Sequence, residues 1–374
     1  MTANLKYFAL VALTALVAVF GRPSQTNAQV LLRKEQPDLT ITSAMRTEVI
    51  EGVIKGLNDA YVLPDVAKTM ETAIRDRLAK KEYDNITSAA KLTDKLTEDL
   101  RAVSHDKHLR VIFSHDPLPA ALTERRAPSV EERERFRRAS AVQNFGFEKV
   151  ERLSGNIGYL DLRGFNAPEL AGDTAAAAMG FLANTDALII DLRKNGGGAP
   201  GMVALLCSYL FDAEPVHLND LYNRKEDSTH QWWTLPYLAG RRYVGKDVYV
   251  LTSNRTFSAA EEFTYNLKNL KRATIVGETT GGGAHPVGPH RINDHFVVIV
   301  PVARAINPVS KTNWEGTGVK PDVEVPADQA LKTAHLMALK KQAEKSNDDR
   351  FAGELKAAIA TVEKELDELK AKAK

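Results

Sequence analysis

Residues 187–210 read ALIIDLRKNGGGAPGMVALLCSYL, and this stretch decides the fold class. A short strand-like run, residues 187–192, is followed by three glycines and then by an apolar helical segment from Met202 to Leu210. The same order recurs on both sides, with strand-like runs at 157–162, 248–251, 273–276 and 296–302 and helical stretches at 169–182 and 259–270. Alternating strands and helices predict a parallel sheet with right-handed crossovers, and hence an α/β core.

Upstream of this core the hydrophobic period is helical. Met45, Val49, Val53 and Leu57 are spaced four apart, and the same spacing recurs further on, so we predict three helices between about residues 43 and 103. A short strand-like run, 109–113, follows. The sequence therefore divides into a signal peptide (1–28), an N-terminal helical domain (29–115), a Pro- and charge-rich linker with at most one solvated helix (116–147), the α/β core (148–330) and a C-terminal helical tail (331–374).

The N-terminus has the pattern of an export signal. Lys6 precedes an apolar run of 14 residues, and small residues at Thr26-Asn27-Ala28 offer a cleavage site before Gln29. The run is shorter than the roughly 20 residues that span a bilayer, so an uncleaved anchor is the weaker interpretation. We expect an exported protein, periplasmic or extracellular, with no integral membrane span in the mature chain.

Composition excludes several classes of protein. The 374 residues include 50 Lys and Arg against 48 Asp and Glu. Removal of Lys6 and Arg22 with the signal peptide leaves 48 of each, which gives no electrostatic reason to expect a nucleic-acid partner. Cys207 is the only cysteine, so an intramolecular disulfide and a Cys-rich metal site are excluded. The composition does not predict the oligomeric state.

Ser258 is the strongest candidate for chemistry, because it lies between a strand-like run and the helix that begins at Ala259. Such a turn exposes the side chain, and the helix N-terminus favours negative charge, so the amide of Ala259 could stabilise an oxyanion. The same residues, Ser258 to Glu261, also form a capping-box pattern. Taken alone, the cap is the commoner interpretation, and the two roles are compatible.

Two glycine-rich turns follow strands, at 195–198 and 281–283. Successive glycines allow a backbone that presents N–H groups to a ligand, as an oxyanion hole or as an ordinary flexible turn. Neither turn matches the Walker or Rossmann phosphate-binding spacing.

A serine nucleophile needs a base, and spacing alone does not choose among the histidines near these motifs, His105, His108, His115, His285, His290 and His295. None of them has the spacing of a helical zinc motif, so we expect no metal and no cofactor. The carboxylate of Glu315, before a Gly- and Pro-rich turn, could orient a base or be solvated.

In combination these motifs resemble the tail-specific, or carboxy-terminal-processing, serine protease family, in the branch that includes tricorn protease and interphotoreceptor retinoid-binding protein. The elements that carry the resemblance occur in family order: 106–111, 158–160, 191–198, 256–261, 277–282 and 316–322. The resemblance implies a helical N-terminal bundle joined to a crotonase- or ClpP-like spiral β-sheet core with helices around it, and a peptide or protein substrate. Only about 40 residues separate Val111 from Gly155, which leaves no room for a PDZ domain.

The resemblance also implies roles for individual residues. Ser258 is expected to be the nucleophile, His108 its general base and Glu315 a supporting carboxylate. The amides of Ala259 and Gly197 are expected to form the oxyanion hole, and the resemblance fixes this glycine only to within one position. This assignment requires the N-terminal domain to fold back onto the core.

Two positions depart from the family pattern. The lysine that serves as base in Ser/Lys members is missing from 281–285, and Lys268 and Lys271 are too far along the helix to replace it. Lys107 stands where the tricorn-type site has a serine before its histidine. A Ser/His site is therefore favoured over Ser/Lys.

Two rival functions use the same fold. The first is a non-catalytic binding protein for a hydrophobic ligand or peptide, with Trp232, Trp233 and Tyr237 as candidate lining residues. The second is an esterase that uses the same residues as the peptidase.

Overall fold

The computed structural model describes residues 36–118, 129–345 and 349–372. The expected signal peptide and part of the expected linker lie outside the described residues. Within the described ranges, none of the helices has the length and hydrophobicity needed to cross a bilayer.

The N-terminal region is helical, as the periodicity predicts. It consists of α1 (Ser43–Ala60), α2 (Pro64–Ala79) and α3 (Ala89–Ser104). The Thr42 and Ser88 side chains cap α1 and α3, and Pro64 occupies the first position of α2, where the missing N–H costs nothing. Leucines and valines at four-residue spacing, such as Val53 and Leu96, are fully buried between the helices.

A three-stranded antiparallel sheet completes this region. Strand β1 (Arg110–Phe113) pairs with β10 (Phe296–Pro301), and β10 pairs with β9 (Val287–Arg291). Phe296 and Val298 of β10 are fully buried among the three helices, because alternate residues of a strand face the same side. The N-terminal region is thus joined to the rest of the chain by a β ladder.

The main sheet has six strands in the order β12-β8-β7-β4-β3-β2. Its strands are β2 (Phe147–Leu153), β3 (Ile157–Leu162), β4 (Ala187–Asp191), β7 (Asp247–Thr252), β8 (Thr274–Gly277) and β12 (Val323–Glu324). All neighbouring pairs are parallel except β2 with β3. The mixed α/β fold with a helical N-terminal region and a sheet core is confirmed.

Helices cover both faces of this sheet, which explains why β3 and β4 are buried at every position. Helices α5 (Pro168–Leu182), α6 (Pro200–Leu210) and α7 (Ala259–Asn269) pack on one face. Helix α8 (Ala330–Lys345) packs on the other, followed by α9 (Asp349–Lys372). The predicted tail is therefore two helices, and both contribute buried residues to the hydrophobic cluster on this face.

Two further elements were less visible in the sequence. A second antiparallel sheet, in the order β11-β5-β6, is built from β5 (His217–Asn223), β6 (Ser228–Trp233) and β11 (Ala303–Ile306). Within the expected linker, α4 (Val130–Val142) is capped by Ser129 and buries only Ser140, as a solvated helix does. The functional candidates lie at the carboxyl ends of β4, β7 and β8, where open parallel sheets form their clefts.

Candidate active site

Ser258 lies on the turn between β7 and α7 with φ 57° and ψ −124°. A non-glycine residue rarely adopts this backbone conformation, and such strain persists where the surrounding structure enforces it. Here the Ser258 amide donates to the Glu261 carboxylate at 2.9 Å, which is the backward half of the predicted capping box. The turn presents Ser258 to a cavity at the N-terminus of α7.

That cavity lies between the two glycine-rich loops and the second antiparallel sheet. Its lining residues are Gly198, Pro200, Leu221, Ser258, Ala259, Glu262, Gly283, Ala284, His285, Pro286, Val287, Ala305 and Trp314. Most of them are small or apolar, so the polar groups of Ser258, Glu262 and His285 stand out in the lining.

The first glycine loop packs directly against the serine turn. Gly197 has φ 107°, and a Cβ there would lie 2.8 Å from the Ser258 Cβ and 2.9 Å from the Ala259 nitrogen. Only glycine fits this close approach. The Gly197 amide donates to the Asn195 side chain at 2.8 Å, whereas Gly198 lines the cavity.

Glu261 ties the serine turn to the second glycine loop. Its fully buried carboxylate accepts hydrogen bonds from the Gly282 and Gly283 amides and from the Thr280 hydroxyl, in addition to the Ser258 amide. Burial raises the pKa of Glu261 to about 7, and these four donors oppose the rise. The sequence predicted only the contact with Ser258.

His108 reaches the site from the N-terminal region, between α3 and β1. Its ring centroid lies 4.6 Å from that of Phe257, the residue before Ser258, and a Cβ on Gly283 would lie 2.7 Å from the His108 Cε1. The side chain is buried, and burial lowers its pKa to about 4. The imidazole is therefore neutral near pH 7, as a proton acceptor must be.

Glu315 lies in the same place. The ligand atoms of Asp106, His108 and Glu315 are all within 4.8 Å of one another. One Glu315 oxygen accepts from the Ala284 amide, while its Oε1 and the His108 Nδ1 are buried without a hydrogen-bond partner among the described residues. Burial, and then the charge of Asp106, raises the pKa of Glu315 to about 7.

A pair that spacing did not predict lies beside them. The His285 Nδ1 is 2.8 Å from the Asp106 Oδ2 and 3.6 Å from the Glu315 Oε2. Burial alone would lower the pKa of His285, but the hydrogen bond to Asp106 and the charge of Glu315 outweigh it, so the pKa is raised. Asp106 also accepts from the Tyr61 hydroxyl and the His108 amide. His285 was one of six histidine candidates, and only tertiary structure distinguishes it.

The other candidate residues lie elsewhere. His105 and His115 are exposed, His290 packs against Gly56 of α1, and His295 is hydrogen-bonded to the Ser114 carbonyl. Lys268 pairs with Asp322 at 2.8 Å. Of the residues assigned roles by resemblance, Ser258, Gly197 and Ala259 lie in direct proximity. His108 lies beside Phe257, and Glu315 lies close to His108.

The Asp106, His108 and Glu315 cluster is also, among the described residues, the set whose geometry could hold a metal ion. Asp106 is already engaged by Tyr61, His285 and the His108 amide, which leaves it a poor free ligand.

Two family models match the chain. Residues 156–325 match Peptidase family S41, and residues 31–140 match the N-terminal domain of peptidase S41 in eukaryotic IRBP. The first covers most of the sheet core and the second covers the helical region.

Curated relatives carry names of the same kind. Carboxyl-terminal-processing peptidase 1, chloroplastic, of Arabidopsis thaliana is 26% identical over 187 residues, which are 49% of this chain and 36% of that protein. The tail-specific protease of Haemophilus influenzae is 33% identical over 103 residues, which are 26% of this chain and 13% of that protein. The chain thus spans about a third or less of the length of these relatives.

A solved structure supports the fold. The crystal structure of a candidate peptidase from Parabacteroides merdae is 19% identical and has a TM-score of 0.56, covering 79% of this chain and 96% of that one. The two family models, which match residues 31–140 and 156–325, place the chain in peptidase family S41 with an IRBP-like N-terminal domain.

Proposed function

We propose that the protein is an exported serine peptidase that cleaves peptide bonds through an acyl-enzyme on Ser258. The observation that carries the proposal is the strained turn that presents Ser258 to a cavity at a helix N-terminus, in contact with a glycine loop. The family and the names of its curated relatives support a peptidase.

His108 is the proposed general base. Its neutral ring accepts the Ser258 proton as Oγ bonds to the scissile carbonyl carbon, and it then gives that proton to the leaving amine. Water then adds to the acyl carbon as the same ring takes its proton, the bond from that carbon to Oγ breaks, and the ring returns the proton to Oγ. The unpaired His108 Nδ1 and Glu315 Oε1 are a complementary donor and acceptor, so a small side-chain rotation would let Glu315 orient the ring.

The oxyanion is proposed to bind at the N-terminus of α7. The Ala259 amide is one donor. Because the Gly197 amide is engaged by Asn195 and Gly198 lines the cavity, Gly198 is the better placed of the two glycines for the second donor. The sequence predicted Gly197 to within one position, and Gly198 is its immediate neighbour.

One alternative assignment of the base has structural support. His285 lines the same cavity as Ser258 and has a carboxylate partner in Asp106. This arrangement is also that of a serine–histidine–aspartate triad, in which the hydrogen bond to the carboxylate raises the pKa of the histidine.

A non-catalytic binding protein for a hydrophobic ligand is the alternative function. Trp232 and Trp233 belong to the β5–β6 hairpin, and Trp233 stacks on His217 at 4.3 Å. Neither they nor the exposed Tyr237 line the cavity at Ser258.

A fluorophosphonate probe separates these functions. We expect the full-length folded protein to be labelled once, at Ser258, as read by intact-mass and peptide mass spectrometry. A folded chain that takes no label, yet binds a hydrophobic ligand, would support the binding protein. Purification of an exported product that begins at Gln29 would test the proposed signal peptide.

Lys268→Ala is expected to leave activity within about twofold of the wild type, because an exposed ion pair with Asp322 contributes little. The measurement is kcat/KM on a peptide substrate. A loss of a hundredfold or more would return the Ser/Lys dyad to consideration.

Removal of divalent metal is expected to leave the rate unchanged, since the proposed reaction uses no metal. Hydrolysis is measured before and after dialysis against EDTA. A loss that zinc or manganese restores would show that Asp106, His108 and Glu315 act as metal ligands.

A further inference from the structure

The cavity at Ser258 contains a carboxyl group that the proposed reaction does not use. Glu262 follows Ser258 by four residues on α7, which puts both side chains on one face of the helix. The Glu262 side chain is 4% exposed and lines the cavity, and its Oε1 is buried without a hydrogen-bond partner in the described ranges.

Two asparagine side chains near Glu262, Asn219 and Asn266, also have buried polar atoms without a hydrogen-bond partner among the described residues. Asn219 of β5 is fully buried beside the Glu262 carboxyl group, and its Oδ1 has no partner among the residues that the structure describes. One turn further along α7, the Asn266 Nδ2 is also unpaired, while its Oδ1 accepts from Asn307. Of these three side chains, Glu262 lines the cavity, and Asn219 lies against the Glu262 carboxyl group.

Leaving such groups unpaired in the interior is costly, and buried polar atoms in native proteins normally have partners. The expected partner here is a group that enters the cavity from outside. It must both donate and accept hydrogen bonds, because a neutral Glu262 carboxyl group offers an O–H donor as well as an acceptor oxygen.

The charge of Glu262 and the volume of the cavity narrow the class of chemical group that can bind there. Burial raises the pKa of Glu262 to about 8, while a hydrogen bond with Asn219 opposes the rise, so Glu262 is a neutral acid near pH 7 rather than a counter-ion for a basic side chain. The cavity volume of about 40 Å³ has room for about three water-sized groups. A primary carboxamide has three heavy atoms, and the apolar residues Pro200, Leu221 and Val287 suit its methylene stem.

We propose that this cavity holds the side chain of the residue that precedes the scissile bond, and that the Glu262 carboxyl group selects an asparagine or glutamine carboxamide there. This inference rests on the proposed peptidase function. Glu262 is then a specificity-determining residue, and Ser258 and His108 carry out the bond cleavage.

The test compares peptides that differ only at the residue preceding the cleaved bond, with Gln, Asn, Leu, Lys or Glu at that position. We expect the wild type to cleave the Gln or Asn peptide at least about tenfold faster in kcat/KM than the Leu peptide, because a site built to hydrogen-bond a group rejects an analogue that lacks it. Preference for Lys, or equal rates for all five, would overturn the proposal.

Two variants isolate the carboxyl group. Glu262→Met removes the unpaired polar atoms at similar volume and is expected to fold normally and to reverse the preference towards Leu. Glu262→Gln keeps a donor and an acceptor and is expected to retain the carboxamide preference. Lys268→Ala, on the same helix, is the control. A Glu262→Met chain with wild-type preferences would contradict the assignment.

Binding to the Ser258→Ala chain separates this inference from the peptidase itself. If calorimetry shows that this chain binds the Gln or Asn peptide more tightly than the Leu peptide while the wild type cleaves neither, the carboxamide site stands and the peptidase proposal fails. If the wild type cleaves peptides but the Ser258→Ala chain binds all five equally, the peptidase stands and the carboxamide site fails.

Discussion

Ser258→Ala is expected to lower kcat on peptide substrates by about 10⁵-fold or more, because removal of the nucleophile leaves only binding and oxyanion stabilisation. Fluorophosphonate labelling should vanish with it. Rates are measured on a peptide that the wild type cleaves, with the thermal transition monitored to show that the variant is folded.

The backbone at this position provides a matched control. Since Ser258 has φ 57° and ψ −124°, Ser258→Gly removes strain as well as the hydroxyl. We expect the glycine variant to be as inactive as the alanine variant but more stable by about 1 kcal/mol in the free energy of unfolding. Substantial activity in either folded variant would show that another residue is the nucleophile.

His108→Gln is expected to lower kcat by about 10³-fold or more, because glutamine occupies similar space but cannot take the serine proton. The loss should appear mainly in kcat, and binding of peptides to the folded variant should persist. The measurement is the split of the rate loss between kcat and KM.

The other histidines provide controls for this assignment. His290→Gln, at a half-buried histidine packed on α1, should have little effect on the rate. If His285→Gln produced the large loss in kcat and His108→Gln did not, the base would be His285, with Asp106 as its partner.

Much of the fold follows from local sequence patterns. The strands of the main sheet between residues 157 and 277 begin and end within one or two residues of the apolar runs, because burial on both faces requires continuous apolar sequence. The β5–β6 hairpin was harder to predict. Its strands carry His, Asn and Asp, and β5 is held by pairing with β11, about 80 residues later.

Local sequence predicts some residues of the candidate site and not others. Ser258 and Ala259 follow one strand and Gly197 follows its neighbour, so the end of a parallel sheet brings them together and a local pattern can indicate them. The Asp106–His285 pair spans 179 residues, and Glu262 has no motif that separates it from an ordinary helix-surface carboxylate. Both depend on tertiary packing, which single-sequence periodicity does not encode.

The ladder that pairs Arg110 of β1 with Ile299 of β10 has a consequence for the newly made chain. A polypeptide that emerges N-terminus first exposes the serine turn before the β10 segment is available. Pairing β1 with β10 closes the loop between them at a cost in entropy, which the contacts of the complete ladder offset. Until then the histidine-bearing loop has no fixed place beside the serine. If Ser258 and His108 act as proposed, a chain that has emerged only as far as Ser258 is therefore expected to be unable to cleave peptides.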